Sequence, residues 1–147
     1  RSARRFSQDV RGQAVLEFGL VLPLLMILVS GIFEVSRHYY TRITIRNAVT
    51  EAARFAATGR MLNDEETGQP MTRRNAIIHT MQQSAGDLEI DLESIEMDPE
   101  DGGGPDDLVS IRVRYRYDFM EIPLIEMIFP ESVYFSVATM MKNEPAF

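Results

Sequence analysis

Residues 18–33 read FGLVLPLLMILVSGIF, sixteen residues without a charged side chain. Together with residues 14–17 they make a stretch of twenty residues, which as a helix is about 30 Å long, the thickness of the hydrocarbon core of a bilayer. Because backbone groups in lipid must pair within their own segment, we expect a transmembrane helix over residues 14–33. Pro23 removes one helical hydrogen bond, so we expect a kink at this position.

Charge divides the chain into a basic leader and an acidic remainder. Four arginines against one aspartate give residues 1–12 a charge of +3, and since the whole chain carries −7, residues 13–147 carry −10. The positive-inside rule then predicts a cytoplasmic N-terminus and a C-terminal body across the membrane. An acidic body does not suit nucleic acid, whose phosphates need clusters of lysine and arginine.

The residue types needed for catalysis are scarce in this chain. There is no cysteine, and His38 and His79 are its two histidines. We interpret His38, next to Tyr39 and Tyr40, as a side chain at the membrane interface, and His79 as a lone surface residue. No nucleophile–base pair, phosphate-binding loop or histidine-containing metal motif is present in the sequence. The composition therefore predicts a protein that is not an enzyme and has no cofactor.

A glycine and a glutamate stand at the entrance to the apolar run. Gly12 ends the basic leader, Glu17 follows it by five residues, and the order of leader, glycine, glutamate, apolar run and proline reads RGQAVLEFGLVLPLL over residues 11–25. This order resembles the processing site of type IV pilins. More closely, the chain resembles the TadE-like pseudopilins of the tight-adherence (Tad) pilus, through NAVTEAARFAATGR at residues 47–60 and SVATMMKNEP at residues 136–145.

The resemblance implies a function and a set of partners. A prepilin peptidase would remove residues 1–12 by cutting between Gly12 and Gln13. The mature chain would be a minor pseudopilin that enters the pilus through its N-terminal helix and supports pilus biogenesis, surface adherence and secretion. Its partners would be other pilins and pseudopilins, an assembly platform and the lipid of the bacterial inner membrane. The body would be periplasmic, then extracellular after assembly.

The role of Glu17 can be interpreted in two ways, and each interpretation implies a different function for the protein. If Glu17 pairs with the N-terminal amine of a neighbouring chain, it sets the register between subunits, because an unpaired carboxylate in lipid is costly. If its side chain only reaches the cytoplasmic interface, the protein is a single-pass anchored binding domain that does not assemble. An ordinary anchor has no reason to carry the Gly12–Glu17 spacing, so we favour assembly.

Helical spacing of apolar residues continues beyond the membrane segment. It predicts one long helix over residues 13–60, with Gly59 as its stop signal, followed by an extracytoplasmic globular domain over residues 61–147. Residues 61–69 read as a loop. A second helix is expected from Pro70 or Met71 to the glycine at position 86.

Alternating residues predict three strands in the second half of the chain. We expect them over residues 88–97, with a bulge or bend, over residues 108–119 and over residues 132–141. They would form a small antiparallel sheet packed on the long helix, an α+β fold. The acidic side chains at positions 89, 91 and 93 would face the arginines at positions 112, 114 and 116, which opposes a slipped register.

Two loops remain as candidate binding elements. The loop between the first two strands concentrates carboxylates, which suits either a solvated hairpin loop, the reading we favour, or a calcium site; they are Asp98, Glu100, Asp101, Asp106 and Asp107. The apolar segment at residues 120–132 either covers one end of the core or forms an exposed contact surface.

Overall fold

The computed structural model describes residues 3–64, 68–120 and 130–145, and the side chains of those from residue 12 onward. The first element, α1, is a single helix over Ala3–Ala57. It confirms the predicted long helix and extends it through the leader. Pro23 lies inside this helix without ending it. At the other end, Gly59 adopts a φ of 63°, and its N–H donates to the carbonyl of Ala56 at 3.2 Å, which stops the helix as predicted.

The second helix, α2, spans Arg73–Ala85. Its start lies beyond the expected Pro70 or Met71, because Thr72 is the N-cap and its hydroxyl accepts the N–H of Asn75 at 3.3 Å. Gly86 is its C-cap, with a φ of 63°. The sequence therefore located the end of α2 correctly and its start two to three residues too early.

Three strands form one antiparallel sheet in the order β1-β2-β3, with bounds Ile95–Asp98, Leu108–Asp118 and Ser132–Lys142. β2 pairs with β1 from Ser110↔Asp98 to Val113↔Ile95 and with β3 along its whole length. Together with the two helices this is the α+β fold that the sequence predicted.

The prediction of a strand over residues 88–97 was wrong for its first half. Residues 92–94 form a 3-10 turn instead. Asp91 causes this, because its carboxylate accepts the N–H of Glu93 at 3.0 Å and its carbonyl accepts the N–H of Ser94 at 3.0 Å. A short polar side chain that bonds to its own local backbone competes with a sheet ladder.

The chain consists of two compact units, and the boundary within α1 lies between Arg37 and His38. The second unit holds the hydrophobic core, formed by residues of α1 beyond the boundary, by α2 and by the inner face of the sheet. The α1 contribution is rich in alanine, which lets neighbouring elements approach closely. Its buried members are Ile45, Ala48, Val49, Ala52, Ala53 and Ala56.

The last carbonyls of α1 are bonded by distant parts of the chain. The carbonyl of Ala56 accepts the Arg73 Nη2 group at 2.7 Å, and the carbonyl of Ala57 accepts the backbone N–H of Glu144 at 2.9 Å. A helix leaves its last four carbonyls without intrahelical partners. Here α2 and the chain after β3 satisfy two of them.

Candidate functional site

The first part of α1 presents an apolar surface that no described residue covers. Val15, Leu20 and Phe33 are 72%, 71% and 69% exposed. One helix of the described residues, over Gly12–Ala57, is long and apolar enough to cross a membrane, with a mean hydropathy of 2.4 in its most apolar window. Exposed apolar surface of this extent is suited to lipid or to other helices.

The residues of the Gly12–Glu17 motif lie on consecutive turns of this helix. Gln13 Nε2 donates a hydrogen bond to Glu17 Oε1 at 3.0 Å, and both side chains are exposed. Gly12 is helical, with open space where a Cβ would lie. A peptidase that binds this site in extended form would therefore first have to unwind a turn of α1. The structure brings Gln13 and Glu17 together, while Pro23 lies further along the helix.

An ion pair with a buried carboxylate and a partly exposed arginine follows the apolar run, and sequence reasoning missed it. The side chain of Glu34 is 0% exposed, and its Oε1 accepts a hydrogen bond from Arg37 Nη2 at 3.0 Å. A carboxylate this well buried needs such a partner. The signal in the sequence was an acid and a base three residues apart at the end of an uncharged stretch.

Both histidines are partly buried, and His38 contacts the sheet. His38 packs edge-on against two aromatic rings of the sheet, Tyr117 at 4.7 Å and Phe135 at 5.7 Å between ring centroids. It is therefore a packing residue of the second unit. His79 is partly exposed on α2, and its Nδ1 atom is enclosed.

The acidic loop between β1 and β2 is the predicted hairpin loop, and its carboxylates stabilise the loop itself. Asp101 Oδ1 accepts the N–H of Gly103 at 3.0 Å, and Asp107 Oδ2 accepts the N–H of Gly104 at 2.7 Å. Asp106 pairs with Lys142 at 2.8 Å. Among the described residues no three acidic or histidine side chains form a group able to hold a metal ion, so the five candidate carboxylates are not brought together.

Asn143 anchors this loop, and nothing in the sequence singled it out. It is 3% exposed, its Nδ2 donates to the carbonyls of Gly102 and Gly104 at 3.2 and 2.7 Å, and its backbone N–H donates to Asp107 at 2.8 Å. One side chain just after β3 thus fixes the backbone of a loop about forty residues earlier in the chain.

The prediction that the acidic residues at positions 89, 91 and 93 face the arginines across the sheet was wrong, because these residues precede β1, in which Glu96 lies opposite Arg112. Arg112 and Glu96 approach to 3.6 Å with both side chains exposed, a contact that contributes little to stability. The acidic residues at positions 89, 91 and 93 instead line a groove that Arg114 and Arg116 also line. Arg114 lies over the ring of Tyr134 at 4.9 Å, and Arg116 pairs with Asp118 at 2.7 Å.

Within the described residues, the α+β fold is combined with one candidate membrane span near the N-terminus. The family model described as TadE-like protein matches residues 12–54, a range that begins at Gly12 and ends within α1. This part of the chain is therefore similar to TadE-like proteins of Tad pilus systems, as the resemblance in its sequence indicated. No curated protein and no solved structure matches it significantly.

Proposed function

We propose that this chain is a minor pseudopilin of a Tad pilus, cut after Gly12 and incorporated through α1. The observation that carries the proposal is the family match over residues 12–54, which covers the exposed apolar part of α1 and the Gly12–Glu17 motif at its entrance. A subunit that is stored in a membrane and then extracted needs a helix that is compatible with both lipid and neighbouring helices. An exposed apolar surface without a charge over residues 18–33 meets both needs.

Glu17 is the residue that we propose sets the position of the subunit among its neighbours. Removal of residues 1–12 would create an amine at Gln13, one helical turn from the Glu17 carboxylate. In the uncut chain the Gln13 amide occupies one carboxylate oxygen at 3.0 Å. A carboxylate that is moved into a bundle of apolar helices is stabilised by an amine from another subunit and is costly without one.

The proposed partners are a prepilin peptidase, other pilins and pseudopilins, the inner-membrane assembly platform and membrane lipid. The proposed location is the bacterial inner membrane, with the leader in the cytoplasm and the body in the periplasm, and the extracellular pilus after assembly. The +3 charge of residues 1–12 supports this orientation. We propose a structural role without catalysis, in pilus biogenesis, adherence and secretion.

The second candidate function is an anchored binding domain that never leaves the membrane. The groove lined by Glu89, Asp91, Glu93 and two arginines favours it, because a groove that carries both charges is suited to a charged binding partner. The two functions differ in what Glu17 does: an anchor tolerates its loss, whereas an assembling subunit does not.

Processing is tested by Gly12→Leu, with Gly19→Leu as the matched control. Both glycines are helical and have open space where the new side chain begins, so neither change clashes within the chain. We expect Gly12→Leu to keep its leader and Gly19→Leu to lose it, as measured by intact mass of the protein from cells with and without the peptidase. Identical wild-type masses from the two strains would refute processing.

Assembly is tested by Glu17→Gln, which keeps the shape of the side chain and removes its charge. We expect normal cleavage and membrane insertion but a loss of piliation at matched protein level. Glu51→Gln is the control, since Glu51 is an exposed carboxylate further along α1 in a loose 4.0 Å contact with Arg54. Wild-type piliation in both variants would favour the anchored binding domain.

A further inference from the structure

β3 forms one edge of the sheet, and its outer side has no partner strand in the described part of the chain. All eleven of its residues pair with β2 in one unbroken register, from Ser132↔Asp118 to Lys142↔Leu108. Within the same described residues, no backbone hydrogen bond leaves residues 132–142 on the other side. β3 therefore presents a row of unused N–H and C=O groups.

Edge strands are ordinarily protected against pairing by shortness, charge, proline or a bulge. β3 has little of this protection: its sequence is SVYFSVATMMK, whose one charged residue lies at its end, and its length is eleven residues against about five or six for a typical strand. The opposite edge is different, since β1 has four residues, two of them acidic. The sheet is thus protected at β1 and open at β3.

The inner face of β3 is also incompletely covered. Phe135, Val137 and Met141 are only partly buried against the core, whereas Val109 and Ile111 on the neighbouring strand β2 are fully buried. A further strand beside β3 would continue the apolar layer and remove this surface from water, which is favourable in proportion to the area buried.

We propose that β3 pairs antiparallel with β3 of a second copy of this chain, so that two sheets become one continuous six-stranded sheet. About a two-fold axis at Val137, Phe135 of one copy lies opposite Thr139 of the other. The numbers of two opposite residues then add up to an even number. Odd-numbered residues of β3, which form its inner face, therefore lie opposite odd-numbered residues of the second copy. Eleven residue pairs supply about ten main-chain hydrogen bonds.

Charge favours a second copy over other occupants. A basic strand would find no acidic side chain on β3, and an acidic strand would find only Lys142, which already pairs with Asp106 at 2.8 Å. The matching partner is an uncharged strand, and the chain carries such a strand itself. In the pairing about Val137, Lys142 faces Ser132 of the second copy, so no like charges oppose each other.

A cysteine scan of the full chain in its membrane tests the pairing, because the chain has no cysteine of its own. Single cysteines are placed at each position from 134 to 140, and the membranes are oxidised. In an antiparallel pair only a residue at the axis faces its own copy. We expect the yield of disulfide-linked dimer to be highest near Val137→Cys and to decrease at positions on either side of it. When the two variants are mixed, we expect Phe135→Cys to form a disulfide with Thr139→Cys.

Glu96→Cys is the control for the scan. Glu96 is highly exposed, like the outer face of β3, but lies on the opposite edge strand, so we expect it to stay unlinked. Three outcomes would each overturn the proposal. They are equal disulfide linkage at every position of β3, linkage no greater than that of Glu96→Cys, and a mass spectrum that shows linkage to a different protein. These outcomes do not depend on cleavage after Gly12, so they are separate from the test of the proposed function.

A charge near the axis gives a second, equilibrium test. Ala138 pairs with Arg112 within one chain, so Ala138→Glu suits the monomer but brings two like charges together in the dimer. We expect the dimer dissociation constant in detergent, measured by analytical ultracentrifugation, to rise about tenfold. Gln82→Glu adds the same charge on the exposed side of α2 and should leave the constant unchanged. Equal constants for both variants would overturn the proposal.

Discussion

Replacing Asn143 with alanine removes the side chain that holds the hairpin loop between β1 and β2. Two hydrogen bonds are lost, at 3.2 and 2.7 Å, and the carbonyl of Gly102, a buried residue, is left without this donor. Each such bond contributes about 1 kcal/mol net, and a buried acceptor without its partner adds to the loss. We therefore expect the free energy of unfolding to fall by about 2–3 kcal/mol.

This loss is large enough to measure on the full chain in detergent. For a body of about 100 residues it corresponds to a decrease in melting temperature of about 10–15 °C, followed by circular dichroism. Asn143→Asp should destabilise as much or more at pH 7, because its carboxylate faces two carbonyls, and should recover partly in acid, where the protonated carboxyl can donate. Gln82→Ala, an exposed polar residue, is the control. A loss below about 0.5 kcal/mol for Asn143→Ala would refute the anchoring role.

Gly102→Ala should destabilise the same unit by about 3 kcal/mol, because the φ of Gly102 is 87° and a Cβ there would lie 2.6 Å from Ile77 Cδ1; chemical denaturation checks this, and a change near zero would contradict the close approach. A further prediction concerns the dependence of stability on pH. The pKa of Tyr115 is raised above its ordinary value of 10.0, mainly because the side chain is partly buried and in addition because of the negative charges of Asp118 and Glu89. The folded state therefore favours the neutral phenol, and its contribution to stability, present below pH 10, is lost as the pH rises through the raised pKa. Unfolding midpoints between pH 8 and about pH 11 should fall less for Tyr115→Phe than for the wild type, and equal slopes would contradict the assignment.

Local patterns predicted those elements whose determinants are local. The alternation of β2 places Val109, Ile111 and Val113 on one face, and all three are buried in the structure. Gly59 and Gly86 mark helix ends because a positive φ is needed there, and both glycines have one. The expected sheet, both helices and the α+β class followed from such signals.

Features that depend on contacts distant in sequence could not be predicted. The burial of Glu34 and Asn143 and the packing of His38 on the sheet require the folded neighbours, so they leave no periodicity in the sequence. The partial failure at residues 88–97 had a local cause: the alternation of Leu88 and Ile90 favoured a strand, while the Asp91 side chain favoured a turn. The shift of phase at Ile95 marked the residue at which β1 begins.

The closure of α1 by Glu144 has a consequence for the order in which the protein matures. A polypeptide is synthesised from its N-terminus, yet the carbonyl of Ala57 accepts its hydrogen bond from the N–H of Glu144, a residue 87 positions later. The end of the first helix is therefore completed only once residue 144 has been synthesised. Loss of residues 143–145 would leave the apolar part of α1 intact and remove a hydrogen bond that closes a helix synthesised long before them.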